Sequence, residues 1–263
     1  MLATKGMHFL IDVTLVRIRW YSAYPLSYRH LKGMMEERGV YVDHPPINRW
    51  AIRFLPLLDK VFRKHKHPVD GSWRMNETYT KVKGAWKYLY RAVDKEGKTV
   101  DFLLTARREK AAALRFFDKA MKASCVPEKV TMDKSGANKA AMDEINARGE
   151  TPIIVRQVKY LNNIEAQDRR AIKRVTRPML NFKSFQAARN VLAGIELMHM
   201  IRKGQLLLEG CTELPFAEQF YGLAGKIRPV LGAGIRSCHK CVYQPATRQN
   251  SSDPCLYFQA INY

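Results

Sequence analysis

Acidic residues are scarce in this chain: 24 Asp and Glu stand against 45 Lys and Arg, a formal charge of +21 over 263 residues. That imbalance argues against an ordinary metabolic enzyme and calls for a polyanionic partner, either nucleic acid or an anionic membrane. No apolar run approaches the roughly 18 residues that a spanning helix needs. Lipidation motifs are missing too, so nucleic acid is the better reading and no membrane partner is expected. The N-terminal residues lack an apolar stretch followed by a small-residue cleavage site, which implies a cytoplasmic protein. Cysteine is sparse and odd in number, at 125, 211, 238, 241 and 255, which excludes a dense disulfide framework and implies reduced thiols. The run Cys238-His239-Lys240-Cys241 is half of a zinc knuckle with no second pair at suitable spacing, so no zinc site is expected there.

What is present suits a folded chain, since 46% of the residues are hydrophobic. Apolar residues from Leu10 to Tyr21 crowd a helical face that Pro25 ends. Ser27 caps a second helix that stops at Gly39, and a third begins at Pro45-Pro46 with Ile47, Trp50, Ala51 and Phe54 on its apolar side. Three short helices with a glycine turn suggest a helix-turn-helix. In that reading His44, Asn48, Arg49 and Arg53 lie on the exposed face of the last helix, in reach of base edges and phosphates. A plain helical bundle fits the same pattern.

The basic stretch from Leu58 to Gly71, broken by Pro68, reads as a linker. Beyond it the period changes to two, giving strands over Trp73–Val82, Trp86–Val93 and Thr99–Leu104 with turns at Lys83-Gly84 and Lys95-Glu96-Gly97. A helix over Arg108–Met121, a strand over Lys129–Met132, a helix over Asn138–Ala147 and a strand over Pro152–Val155 follow. Helices over Asn162–Arg174 and Ser184–Lys203 complete the pattern. Trp86, Tyr88 and Tyr90 alternate on one strand and read as sheet packing. The order predicts an α/β, ribonuclease H-like mixed five-stranded sheet, three antiparallel strands then parallel ones, with flanking helices and a preceding all-α module. The expected divisions are 1–57 for the helix-turn-helix, 58–71 for the linker, 72–208 for the ribonuclease H-like domain and 209–263 for an irregular tail.

Such a sheet suits phosphoryl transfer at DNA, which needs two divalent cations about 4 Å apart held by carboxylates against the scissile phosphate. The acids belong on the first strand, at the end of the fourth strand and on the helix after the last strand. In V-T-M-D-K-S-G-A-N, Asp133 follows the strand Lys129–Met132 where a loop opens, the place of a metal ligand. A turn residue or helix cap fits that position as well.

Longer motifs carry a resemblance. The runs M-N-E-T-Y-T-K-V-K-G-A-W-K-Y-L-Y-R-A-V-D, K-Y-L-N-N, D-R-R-A-I-K-R, R-P-M-L-N-F-K-S-F-Q-A-A-R and I-E-L-M-H-M-I-R-K-G-Q resemble the bacterial insertion-sequence-six transposases, as does S-Y-R-H-L-K-G-M-M-E-E-R-G-V at the front. The similarity covers residues 5 to 224. It implies a DDE transposase that recognises terminal inverted repeats and joins donor ends to target DNA with two Mg²⁺ ions. It also implies self-association on DNA and a bacterial, nucleoid-associated setting.

Two departures from the family follow. Its first carboxylate lies in M-D-E-T-Y, whereas this chain has Asn76 before Glu77. An amide offers one neutral oxygen and loses the charge that attracts a hard cation. Glu77, one residue on, is expected to face the other way. The family's third acid lies in N-N-x-x-E-x-D-H-R, where this chain places Ala166, with Asp168 and Lys173 fixing the alignment. Glu165 is one residue early, which turns it by roughly 100° on a helix. The expected site is thus Asp133, Asn76 and Glu165 around the metals, with Ala166 in the vacant acid slot. Arg170, Lys173 and Arg174 on the same helix are candidates for holding DNA phosphates, although a solvated basic face fits them equally. The resulting expectation is an impaired transposase, or else an inactive relative that occupies DNA ends and restrains active copies.

Overall fold

A computed structural model describes residues 11–41, 44–149, 151–158, 170, 172–179, 182–207 and 214–225. Its sheet grows from two tight turns. Lys83 and Gly84 adopt φ of 50° and 79°, the paired left-handed conformation that a two-residue hairpin needs to match strand twist. They join β1 (Ser72–Val82) to β2 (Ala85–Asp94), paired in continuous antiparallel register from Trp73↔Asp94 to Val82↔Ala85. Gly97, at φ 81°, turns the chain into β3 (Thr99–Thr105), which pairs antiparallel to β2.

Helix α4 (Lys110–Ala123) crosses to β4 (Lys129–Met132), and α5 (Gly136–Arg148) crosses to β5 (Ile154–Gln157). β4 lies parallel to β1 and β5 parallel to β4, giving the order β3-β2-β1-β4-β5. This is the expected ribonuclease H-like sheet, with its elements within about three residues of their sequence positions. Trp73, Met75, Tyr90 and Ala92 on one face pack with Phe116 and Phe117 of α4 and Ala141 and Met142 of α5. Tyr90 stacks on Phe116 at 5.9 Å between centroids.

The other face, with Val82, Leu89, Phe102 and Leu104, shares a second core with the front helices α1 (Ile11–Ala23), α2 (Tyr28–Glu36) and α3 (His44–Lys64). Two later helices complete that core: α6 (Phe185–Arg202) and α7 (Phe216–Gly225). Ser27 caps α2 as expected, its hydroxyl accepting from the His30 N–H at 3.2 Å while the His30 ring accepts from the Ser27 N–H.

Three readings need revision here. The segment expected to be a linker from residue 58 is helical to Lys64, because α3 runs through Pro56. Proline cannot donate to the carbonyl four residues back, and here Asn190 of α6 supplies the missing donor to Ile52 O at 2.8 Å. After α3, Lys66 bridges Leu206, and the Gln205 amide pairs with both Thr99 N and Thr99 O on the edge of β3. The front helices are not a free-standing module: Gly194 lies so close to Leu55 that a Cβ there would meet its methyls at 2.5 Å. The tail is not irregular throughout, since α7 packs into this core. Among the described residues no helix is long and apolar enough to cross a membrane.

Candidate active site

Alternation along β1 decides what each side chain can meet. Trp73, Met75 and Glu77 turn toward α4 and α5, whereas Asn76 sits across from Arg91 on the opposite face. There Arg91 pairs with Glu196 of α6 at 2.7 Å and with Thr99 at 2.8 Å. Parallel pairing of β1 with β4 runs from Ser72↔Lys129 to Arg74↔Thr131. Continued by two residues, that register sets the backbone of Asn76 level with Asp133, at the end of β4, the place where open α/β sheets tend to form a crevice.

The Asp133 side chain, however, joins Glu77. Asn138, on the first turn of α5 and 1% exposed, donates its amide to Glu77 Oε1 at 2.6 Å and to Asp133 Oδ1 at 3.2 Å. Arg108, from the loop before α4, pairs through Nε with Glu77 Oε2 at 2.6 Å and through a terminal nitrogen with Asp133 Oδ2 at 3.4 Å. Ser135 N–H also donates to Asp133 Oδ1, at 3.3 Å. Asn76 folds its side-chain oxygen back onto the Glu77 N–H at 2.7 Å.

Electrostatics follow from this arrangement. Burial pushes the Glu77 carboxyl above the usual carboxylate range, while Asn138 and Arg108 pull it part of the way back. Burial disfavours charge on Arg108, but Glu77, Tyr79 and Asp133 together outweigh it and raise the guanidinium further. Tyr90, beneath Glu77, is raised by its burial and by that carboxylate.

Of the expected residues, Asp133 lies at the strand end as read, and Asn76 is level with it but turned to the other face. Glu165 and Ala166 lie outside the described residues, as do Cys238 and Cys241 and the side chains of His44, Asn48 and Arg49. Arg53 is half-buried on α3, and Arg170, Lys173 and Arg174 are exposed. Glu77, expected to face away, is instead the carboxylate beside Asp133. Alternation was applied correctly; the direction in which Asp133 turns after β4 was the missing information. Arg108 and Asn138 carried no signal in the sequence beyond an Asn five residues after the Asp.

Residues 70–205 match the family model described as a DDE domain. The transposase for insertion sequence-like element IS431mec of Staphylococcus aureus strain Mu50 is 39% identical over 194 residues, covering 73% of this chain and 85% of that one. The chain belongs to the insertion-sequence-six family of DDE transposases. A transposase of the IS257 element in transposon Tn4003, also from Staphylococcus aureus, is 38% identical over the same share of each chain. Among solved structures, the catalytic core of HTLV-2 integrase in complex with magnesium is 12% identical, covers 47% of this transposase and 84% of that chain, and has a TM-score of 0.35. The core of BIV integrase is 11% identical, covers 60% and 97%, and has a TM-score of 0.38.

The donor set can be tested against the two ions such enzymes employ. Among the described residues no three His, Cys, Asp or Glu side chains gather to hold a metal. At the strand end the neighbouring carboxylates Glu77 and Asp133 are bridged by the Arg108 guanidinium. Hard cations need several charged oxygens; among the described residues the strand end offers two carboxylates, both already engaged by Arg108, and Glu165 lies outside those residues.

Proposed function

We propose that this transposase binds the terminal inverted repeats of an insertion sequence as duplex DNA, in a cytoplasmic, nucleoid-associated setting, but that its Mg²⁺-dependent strand transfer is impaired. The observation that carries the reading is the state of the strand-end crevice. Asn76 stands where the family has its first acid, Ala166 where it has its third, and Arg108 spans Glu77 and Asp133. A guanidinium fixed between two carboxylates neutralises charge without offering a Lewis acid to a phosphate or a nucleophilic water. Target joining would draw on exposed Arg170, Lys173 and Arg174 for phosphate contacts and on self-association at two ends. On the family alignment Asp133, Asn76 and Glu165 would hold whatever metal enters, and for Asn76 that requires the end of β1 to turn from the face it presents here.

The bridging Arg108 favours a second reading, in which the chain occupies ends and restrains active copies. Both predict salt-sensitive binding to end-bearing duplexes. They separate on chemistry. The double change Asn76→Asp with Ala166→Glu is expected to raise Mg²⁺-dependent strand transfer by orders of magnitude in a gel assay with end-bearing DNA. An unchanged rate would remove Asn76 and Ala166 from the catalytic assignment.

A further inference from the structure

The β1–β2 hairpin projects past the end of β4, and its far end combines exposed aromatic rings with cations. β4 covers the edge of β1 only from Ser72 to Arg74. Farther along, the chain after the helical turn at 172–176 returns to that open edge, held by a Val82–Phe182 bridge and by Lys83 N–H donating to Phe182 O at 3.0 Å. Between them lies a groove of about 800 Å³.

Its walls combine Tyr79, Trp86 and Tyr88 from the hairpin with Lys81, Lys173 and Arg177, and among the described residues no acid lines it. Trp86 is 58% exposed and Tyr79 45%, whereas the other three tryptophans are at most 5% exposed. Trp86 was therefore misread as sheet packing; only Tyr90 of that series is fully buried. Lys81 Nζ lies 5.4 Å from the Trp86 ring centroid, and Tyr79 meets Tyr88 edge-on at 5.3 Å. Large rings held in water beside cations cost the fold solubility unless something covers them.

Cations alone would suit any DNA duplex, whose phosphates face outward. The rings add a demand that a duplex cannot meet, because its base faces are stacked inside. A single strand offers both, with phosphates for the cations and π-faces for the rings. Position strengthens the case. Tyr79 and Lys81 continue the strand face of Glu77, at about 3.3 Å rise per residue, so the groove begins where the Glu77–Asp133 cluster ends.

We infer that this groove holds a short single-stranded DNA segment, its bases stacked on Trp86 and Tyr79 and its phosphates on Lys81, Lys173 and Arg177. The inference rests on the proposed DNA-end reading, in that the strand held would be one separated beside the scissile phosphate.

The test uses the full chain, oligothymidylate of about 12 nucleotides, a blunt end-bearing duplex and the same duplex with a single-stranded tail. Because Trp86 is the exposed tryptophan, oligothymidylate should quench the intrinsic fluorescence, and Trp86→Phe should lose most of that response while binding within about three-fold of the native chain. Trp86→Leu should weaken binding of the oligomer and the tail by about ten-fold and leave the blunt duplex unaffected, with an unchanged thermal melt. Equal affinity of Trp86→Leu and the native chain for the tailed duplex would overturn the inference, as would tighter binding of an RNA oligomer of equal length. Blunt ends bound without any affinity for single strands would sink the groove alone; no DNA binding at all would sink the end-binding reading with it.

Discussion

Two of the charge clusters among the described residues differ in ways that separate a structural network from a candidate site. In the first, Asp101 on β3 has a fully buried side chain and meets Arg63 of α3 at 3.0 Å, Lys119 of α4 at 2.9 Å and the Phe102 N–H at 2.8 Å. Arg63 also pairs with Asp59 at 2.9 Å, and both Arg63 and Lys119 lie over the Phe102 ring. Both cations lie over that one ring, and although Lys119 is itself 39% exposed, the carboxylate that joins them is sealed from water. In the second, Asp133 and Arg108 keep side-chain exposures of 38% and 35% at the end of β4, with Glu77 and Asn138 buried beneath them. A closed network resists change, whereas an open one can exchange a partner for solvent, metal or substrate. Perturbed carboxylates occur in both, so perturbation alone does not mark the functional one.

The largest stability effect is expected at the closed cluster. Asp101→Ala takes a fully buried carboxylate from Arg63 and Lys119, which keep Asp59 and Phe102 O and are themselves partly exposed, so the loss is expected at roughly 1–3 kcal/mol. Thermal unfolding should register it clearly; a loss below about 1 kcal/mol would put both clusters in the same class.

A smaller effect concerns pH. Lys66, beside this cluster, donates to Val100 O at 2.6 Å, and burial holds its ammonium down to about 8. Its pKa is lowered on folding, so between that value and the ordinary lysine range the unfolded chain binds more protons than the native one. The native protein should therefore gain stability relative to Lys66→Met as pH rises from about 8 toward about 10.4. Paired melts across that window check the sign, and a flat difference would mean that Lys66 is solvated.

Least costly to the fold should be Arg108→Ala. Arg108 is 35% exposed but the Glu77 it pairs with is buried, so its removal is expected to cost about 1 kcal/mol, part of it recovered as the Glu77 carboxyl takes up a proton. Freed of the guanidinium, Glu77 and Asp133 should bind Mn²⁺ or Mg²⁺ more tightly in calorimetry than the native chain does. If affinity does not rise, Arg108 is not what keeps cations from the crevice.

Much of this architecture was legible in the residues. Period-two runs, the Lys83-Gly84 turn and the Ser27 cap are local signals, and local signals carry over into structure directly. Asp133 was legible because strand ends are recognisable from both sides. What escaped is non-local. Pro56 reads as a helix breaker until Asn190 is known to serve Ile52, and α1 reads as one-faced until α6 and α7 enclose it. Glu77 was assigned to the correct face, yet whether that face looks toward Asp133 depends on a loop that no periodicity describes. Trp86 matched a packing pattern that, among the described residues, ends at Tyr88.

The Asn190–Ile52 contact has a bearing on biosynthesis. A helix near the start of the chain is completed by a side chain 138 positions later, so the front of the protein leaves the ribosome before the group that finishes it exists. Copies truncated ahead of α6, as frameshifts in mobile elements would produce, should emerge with an incomplete front core, and no independent DNA-reading fragment should survive from them.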